Sequence, residues 1–440
     1  MLKRIFSSLL LSAIMLTAAV PDLKAQTYGS YTPYSIFGVG DLALPGSAYN
    51  KSMGGVGIAS RSHRFLNPMN PAAVTARDSL AFMADYSLLQ DNKIFRQGDM
   101  RSASNTMNVS DCIISFPIWK SSAMMVGIMP YSDTGYGYGY LVEDPAIIGN
   151  TGNVSYTASG KGSLYQAFVG AGVTFWRRLS LGAEFIYHFG KVEKTFVETF
   201  SDASYNGASN GHIIQLHAPA AKFGLQYEQP LGTKSSLTLG ATYKTAARLS
   251  GNIESYRYST GTAASDTLYY KSGAPGDVSL ASEQGVGICY RYADKFMAEF
   301  DYSRSDWRNT GIDTREGLTG NVTSGTNRSV FRAALTESYR IGFEYVPNRS
   351  DIRYYFKKIA YRAGAYWKNE YFTIDNNPVS AYGITIGATL PVFRMYNGIT
   401  VGIDFGQRGS IKNNMIRETY CNFSIGFNLF DIWFVKNRYE

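Results

Sequence analysis

Charged residues recur inside otherwise apolar, alternating segments, and this is where the sequence could place chemistry. Glu184, Lys222, Lys244, Glu299, Asp301, Arg340, Glu344, Arg362 and Asp404 occupy positions that a two-residue period assigns to the polar wall of a strand. Asp41, Lys51, Arg61 and Arg64, from the N-terminal region, are expected at the same level. Charges of both signs facing one enclosed space have two uses. They can pair with each other and pin a buried segment, which is the simpler expectation. Alternatively, a guanidinium can grip a ligand carboxylate bidentately. Catalysis finds less support. His63, His188, His212 and His217 show no metal-ligand spacing, and His212 and His217 fall on opposite faces of a strand. The run GVGIAS (55–60) lacks the last glycine and the preceding strand of a dinucleotide fingerprint. No nucleophile elbow is present, so no catalytic residue, metal or cofactor is expected.

The elements that would carry these charges are strands. In LSLGAEFIYHFG (179–190), Leu181, Ala183, Phe185, Tyr187 and Phe189 share one face, opposite Gly182, Glu184 and His188. KFMAEFDYS (295–303) and GITVGIDFG (398–406) repeat the pattern. About ten such residues suffice for a tilted strand to cross a bilayer. The runs number about fourteen: 78–90, 107–119, 122–132, 163–176, 180–197, 212–228, 235–250, 278–292, 295–304, 329–346, 357–368, 379–392, 398–407 and 418–430. Short connections such as WKSS (119–122) and YADK (292–295) alternate with long polar ones near 133–162, 198–211, 251–277 and 304–328. Short turns on one side and long loops on the other are expected of an all-β, antiparallel transmembrane β-barrel. The 44 Gly, 33 Tyr and 25 Phe residues suit the same reading, with amphipathic rings at the membrane interfaces. Tyr136, Tyr138 and Tyr140 of GYGYGY form an outer-rim aromatic row, either part of that girdle or a landing site for an apolar ligand. Near the end of the chain, Phe430, Trp433 and Phe434 are expected to anchor the barrel at the interface.

The compartment follows from the first residues. Lys3 and Arg4 precede an apolar stretch from Ile5 to Val20, and Ala25-Gln26 is a plausible cleavage point, so residues 1–25 are expected to be a signal peptide for export to the outer membrane. The three cysteines, Cys112, Cys289 and Cys421, form no disulfide framework. The +8 charge is dispersed, which argues against a nucleic-acid partner.

Residues 26–76 lack the period and are rich in Gly, Pro, Ser and Asn. A lumen ringed by about fourteen strands is too wide for side chains alone to fill, so this stretch is expected to be a plug ahead of a barrel over 77–440. Gly54, Gly55 and Gly57 permit close backbone approach, while Pro68 and Pro71 constrain Asn67 and Asn70 before Ala72. MGGVGIASRSHRFLNPMNPAAV (53–74), directly before the first strand, resembles the hatch of the FadL-like outer-membrane transport family, whose members carry an Asn-Pro-Ala motif there. YTPYSIFGVGDL (31–42) resembles related barrels, including a carrier subunit of type IX secretion. The resemblance implies a fourteen-stranded barrel with a lumenal hatch, passive uptake of hydrophobic, fatty-acid-like small molecules, and contact with outer-membrane lipid. The alternative is a non-transporting structural or carrier subunit of an outer-membrane secretion or barrel-assembly complex.

Overall fold

The computed structural model describes residues 29–78, 80–119, 121–142, 144–202, 204–260, 265–320, 330–392 and 397–432. The expected signal peptide, Trp433 and Phe434 lie outside these residues. A short strand β1 (Asp41–Leu42) precedes β2 (Ala81–Gln97), β3 (Met100–Trp119), β4 (Ser122–Leu141), β5 (Val154–Phe175), β6 (Leu179–Phe200) and β7 (Gly207–Pro230). Next come β8 (Ser235–Lys244), β9 (Ala247–Arg248), β10 (Ser250–Thr260), β11 (Ser265–Gly273), β12 (Ser279–Leu280), β13 (Glu283–Tyr292) and β14 (Phe296–Asp306). The last are β15 (Phe331–Ala333), β16 (Leu335–Tyr345), β17 (Ala360–Ile374), β18 (Asn377–Pro391), β19 (Gly398–Arg408) and β20 (Arg417–Ile432). Two short helices, α1 (Ala48–Lys51) and α2 (Pro145–Thr151), complete the regular elements used below.

The wall is a closed, antiparallel barrel of fourteen strands. Closure comes from β20, which pairs back onto β2 from Ala81↔Ile432 to Arg96↔Arg417. Two wall strands are interrupted. β8 and β10 share β7 as neighbour, and β11 and β13 supply the next wall strand. Hydrocarbon offers backbone groups no hydrogen bonds, so a spanning sheet must close on itself. The alternation then sets which side chains meet lipid. Leu181, Phe185 and Tyr187 are exposed outward, while Glu184, Ile186 and His188 are buried inward.

Three expectations need correction. The segments 133–162 and 251–277 are mostly strand, since β4 pairs with β5 up to Leu141↔Ser155 and β10 with β11 up to Thr260↔Ser265. These outer extensions stand clear of lipid, so nothing enforces a hydrophobic period on them although they are extended. The strict alternation of connection length also fails. Gly98-Asp99 and Asp375-Asn376 are two-residue turns at the outer end. Finally, Phe430 is buried inside the wall, because Phe423, Ile425, Phe427 and Leu429 already take the outward positions of β20. Cys112, Cys289 and Cys421 are free thiols.

Candidate functional site

The lumen is occupied by the N-terminal segment, and the Asn-Pro pairs shape its inner end. At each pair the asparagine performs the same two operations. Asn67 Oδ1 accepts from Met69 N at 3.0 Å and its Nδ2 donates to Gly57 O at 2.6 Å. Asn70 Oδ1 accepts from Ala72 N at 3.0 Å and its Nδ2 donates to Ile58 O at 2.7 Å. Each side chain closes its own turn and ties that turn to the glycine-rich stretch. Pro68 and Pro71 fix the backbone between them, and Pro71 opens a 3-10 turn, Pro71–Ala76, in which Ala72 is fully buried. Gly54 and Gly55 have φ of +73° and +75°, a reversal that a side-chain-bearing residue would resist.

The expected inward charges grip this segment. Glu299 Oε1 accepts from Ala59 N at 2.8 Å and Ser60 N at 2.9 Å. Two residues on, Asp301 Oδ2 accepts from Gly57 N at 2.7 Å and Ile58 N at 3.0 Å. Four successive hatch amides therefore end on two carboxylates of β14. Lys222 donates to Pro68 O at 3.1 Å and Arg340 to Gly55 O at 3.4 Å. Arg362 pairs with Glu344 at 2.9 Å and lies over the stacked rings of Tyr49 and Phe65, 4.5 and 4.8 Å from their centroids. Three members stand apart from the hatch. Lys244 pairs with Glu283 at 3.7 Å, Asp404 accepts from Tyr366 at 2.9 Å, and Glu184 sits opposite Lys222 in register. Of the hatch cations, Arg61 pairs with Glu228 at 3.3 Å, Arg64 with Asp294 at 3.4 Å, and Lys51 donates to Ser110 Oγ.

A second charge cluster, higher in the lumen, takes Asp41 from the lower level at which it was expected, because β1 carries it along the outer part of β4; its other members were not read from the sequence. Arg408 meets Asp41 at 2.6 Å, Glu418 at 3.1 Å and Glu370 at 3.5 Å. Lys93 meets Asp91 at 3.4 Å, Glu418 at 3.5 Å and Asp41 at 3.7 Å. Most of these residues lie at or beyond the ends of the apolar alternation, where the strands continue without a hydrophobic signal.

Glycines mark where the wall receives the hatch. A Cβ on Gly182 would strike Pro71 and Ala72, one on Gly224 the Asn70 side chain, one on Gly240 Ile58 O, and one on Gly364 the Gly54 backbone. Gly182 and Gly224 are cross-strand neighbours, as are Gly342 and Gly364. Inward glycines at matching register in adjacent strands are the sequence signal that could have located the contact. A Gly364→Val variant is expected to weaken hatch docking by at least about 1–3 kcal/mol, the usual cost of overpacking. Faster amide exchange at residues 53–56, with the wall unchanged, is the readout.

On one side the hatch replaces a wall strand. β3 and β4 pair only from Trp119↔Ser122 to Cys112↔Ile128. Beyond that point Pro130, which has no N–H, and a register shift at Tyr131 carry β4 away from β3. The hatch takes the vacated edge. β1 pairs with β4 at Asp41↔Asp133 and Leu42↔Ser132. Ala43 N donates to Tyr131 O at 3.0 Å and Thr32 N to Gly135 O at 2.7 Å. A small cavity at this seam is lined by Asp41, Asp91, Lys93, Asp133 and Arg408 together with Leu42, Leu44, Leu89 and Val109, so charged and apolar side chains share it.

The outer mouth is closed by apolar packing. The chain after β14 turns inward, burying Trp307, Ile312 and Leu318. Phe37 stacks on Phe331 at 5.4 Å, Trp307 lies 4.9 Å from Tyr371, and Gly38 N donates to Leu318 O at 2.7 Å. Lys194 ties the two layers together, donating to Ile36 O at 2.8 Å and Gly317 O at 3.0 Å. Tyr136 is buried near this seal, whereas Tyr138 and Tyr140 are exposed on the rim.

This hatch-and-wall arrangement is found in proteins of known fold, and the sequence matches the BamG family over residues 1–440. The chain belongs to the BamG family. Among solved structures, the toluene transporter TodX of P. putida is similar with a TM-score of 0.60 and 14% identity, over 89% of this chain and 99% of that one. The CymD monoaromatic hydrocarbon channel follows with 0.55 and 12%, over 88% and 97%. A Pseudomonas aeruginosa FadL homologue gives 0.54 and 10%, over 89% and 98%. No curated protein matches the sequence. The BamG-family chain thus has the FadL-like outer-membrane barrel fold that its hatch motif implied, a fold that TodX uses as a transporter and CymD as a channel.

Proposed function

We propose that this chain is a sealed outer-membrane barrel serving as a structural subunit of a larger outer-membrane assembly. In this reading residues 1–25 are a signal peptide, 26–76 the locked hatch and 77–440 the barrel. One observation carries it: the cations of the upper cluster and the two carboxylates of β14 are committed. Arg408 and Lys93 each face three carboxylates, and Glu299 and Asp301 are occupied by hatch amides. An apolar molecule meets an aromatic seal above and ion pairs within, and a carboxylate head group meets no uncommitted guanidinium in the upper cluster. Membership of the BamG family supports a barrel-assembly setting.

A second reading, passive uptake of a hydrophobic small molecule, is favoured by the seam between β3 and β4. There a departing β1 would open the wall sideways, and the fold shared with hydrophobic-compound channels supports it. The rim residues Tyr138 and Tyr140 would then be the first contact. The two readings separate on purification from membranes in mild detergent, followed by native mass spectrometry and planar-bilayer recording. The subunit reading expects a stable complex with other outer-membrane proteins and no conductance above the lipid background. A solitary barrel carrying co-purified apolar molecules decides for uptake.

A further inference from the structure

Among the described residues, the wall is incomplete along one stretch of its outer rim. β14 stops at Asp306 and the chain then turns inward, so among the described residues no strand flanks the outer half of the next wall strand. That strand, β11, pairs with β10 from Ile253↔Gly273 to Thr260↔Ser265. Among the described residues nothing pairs with its other edge. Residues 266–272 are exposed on both faces, with Leu268, Tyr269 and Tyr270 at 58%, 46% and 55%.

Lipid does not explain this apolar exposure. The outward greasy row of this wall sector ends at Tyr243 and Val286, on β8 and β13. A strand rising 3.3 Å per residue at about 40° of tilt gains roughly 2.5 Å of height per residue. Ser250, fifteen residues after Ser235, then stands roughly 35–40 Å above the inner turn, clear of an apolar band about 25 Å tall. An edge in water is normally blunted by proline, bulges or inward charge. Residues 266–272 contain no proline and one lysine, Lys271, and the one register shift, which leaves Leu268 without a partner between Thr267↔Tyr258 and Tyr269↔Arg257, keeps Tyr269–Gly273 in regular pairing as the unblunted part of the edge.

We propose that the free edge of β11 is a docking site for an extended strand of a partner protein at the cell surface, which rests on the subunit reading above. A row of unpaired N–H and C=O groups is complementary to extended backbone and to little else. Past the irregularity at Leu268, Tyr270 on one face, with Tyr269 and Lys271 on the other, offers alternate side chains of the incoming strand a surface on each side. A second copy of this chain does not fit. Copies inserted the same way are related by an axis along the membrane normal. Edges each tilted about 40° then cross at roughly 80° instead of running side by side.

The test compares hydrogen exchange of residues 266–272 in the assembly purified from membranes and in the barrel stripped from it. A photoreactive phenylalanine analogue at Tyr270 supplies an independent readout. In the stripped barrel, amides facing β10 exchange slowly and the alternate set fast. The fast set slows at least tenfold in the assembly, and the analogue crosslinks to a different polypeptide. A fast set that stays fast in an intact assembly overturns the docking edge while leaving the subunit reading standing. Slow exchange that persists in the stripped barrel, or crosslinking within the chain, overturns it by giving the edge to this protein's own segment. Purification only as a lone barrel sinks the subunit reading, and the docking proposal with it.

Discussion

A Glu299→Ala, Asp301→Ala double variant is expected to release the glycine-rich turn of the hatch while leaving the barrel wall closed. The two carboxylates accept from the successive amides of Gly57, Ile58, Ala59 and Ser60 and have no role in the wall's own ladder. A buried donor left without a partner costs about 1–3 kcal/mol. Four such donors cost at least about 4 kcal/mol, close to a thousandfold change in an opening equilibrium. Hydrogen exchange should therefore show amides 57–60 opening about a thousand times more readily, with the β14–β16 ladder as slow as before. Wild-type protection at those four amides would mean that the close approach over the wall glycines holds the hatch without the carboxylates. Either single variant is expected to give an intermediate change confined to its own pair.

Arg408→Leu should have an effect of similar size at the other end of the hatch. The guanidinium joins Asp41 of the hatch to Glu370 and Glu418 of the wall, and also donates to Thr32 at 2.8 Å. Removing one partner of a buried ion pair costs about 3–5 kcal/mol, chiefly because charge is left behind uncompensated. Lys93 remains, but it already serves Asp41, Asp91 and Glu418. The expected outcome is that β1 detaches from β4, so the amides of Thr32 and Ala43 lose protection. Adding Glu370→Gln and Glu418→Gln should restore much of that protection by removing the stranded charge. If the triple variant is as open as Arg408→Leu alone, the contact works through shape and not charge.

How far the fold could be read from residues depended on whether lipid was present to enforce a pattern. Within the bilayer the two sides of each strand face different solvents. Leu181, Phe185 and Glu184 therefore announced their directions, and the wall strands were located to within several residues over their membrane-crossing parts. Above the bilayer that contrast vanishes, and the outer reaches of β4, β5, β10 and β11 read as loop. The lower charges were legible for the same reason that the upper cluster was not. Glu299 and Asp301 interrupt greasy neighbours, while Lys93, Arg408 and Glu418 follow polar ones. The plug was recognisable by what it lacked, a period of two. Its partners were hidden because a glycine in a strand gives no sign of what approaches it; only the register that sets Gly342 beside Gly364 reveals a bare surface. The apolar run 122–132 stops just past Pro130, whereas β4 continues to Leu141 and at Pro130 exchanges β3 for the hatch.

The hatch is made first and satisfied last. Thr32 accepts from Arg408 and donates to Glu418, 386 residues further along the chain, and Asp41 waits for the same arginine. Contacts so distant in sequence form late, because the intervening chain must first surrender its freedom. β20 carries Glu418 and also closes the barrel onto β2. Closing the wall and seating the hatch are therefore close to one event. Until then an exported chain presents a long run of buried-type residues with no place to bury them. Whatever inserts this barrel must shelter its N-terminal segment through the addition of nearly every strand, and must deliver that segment to the interior before the last seam shuts.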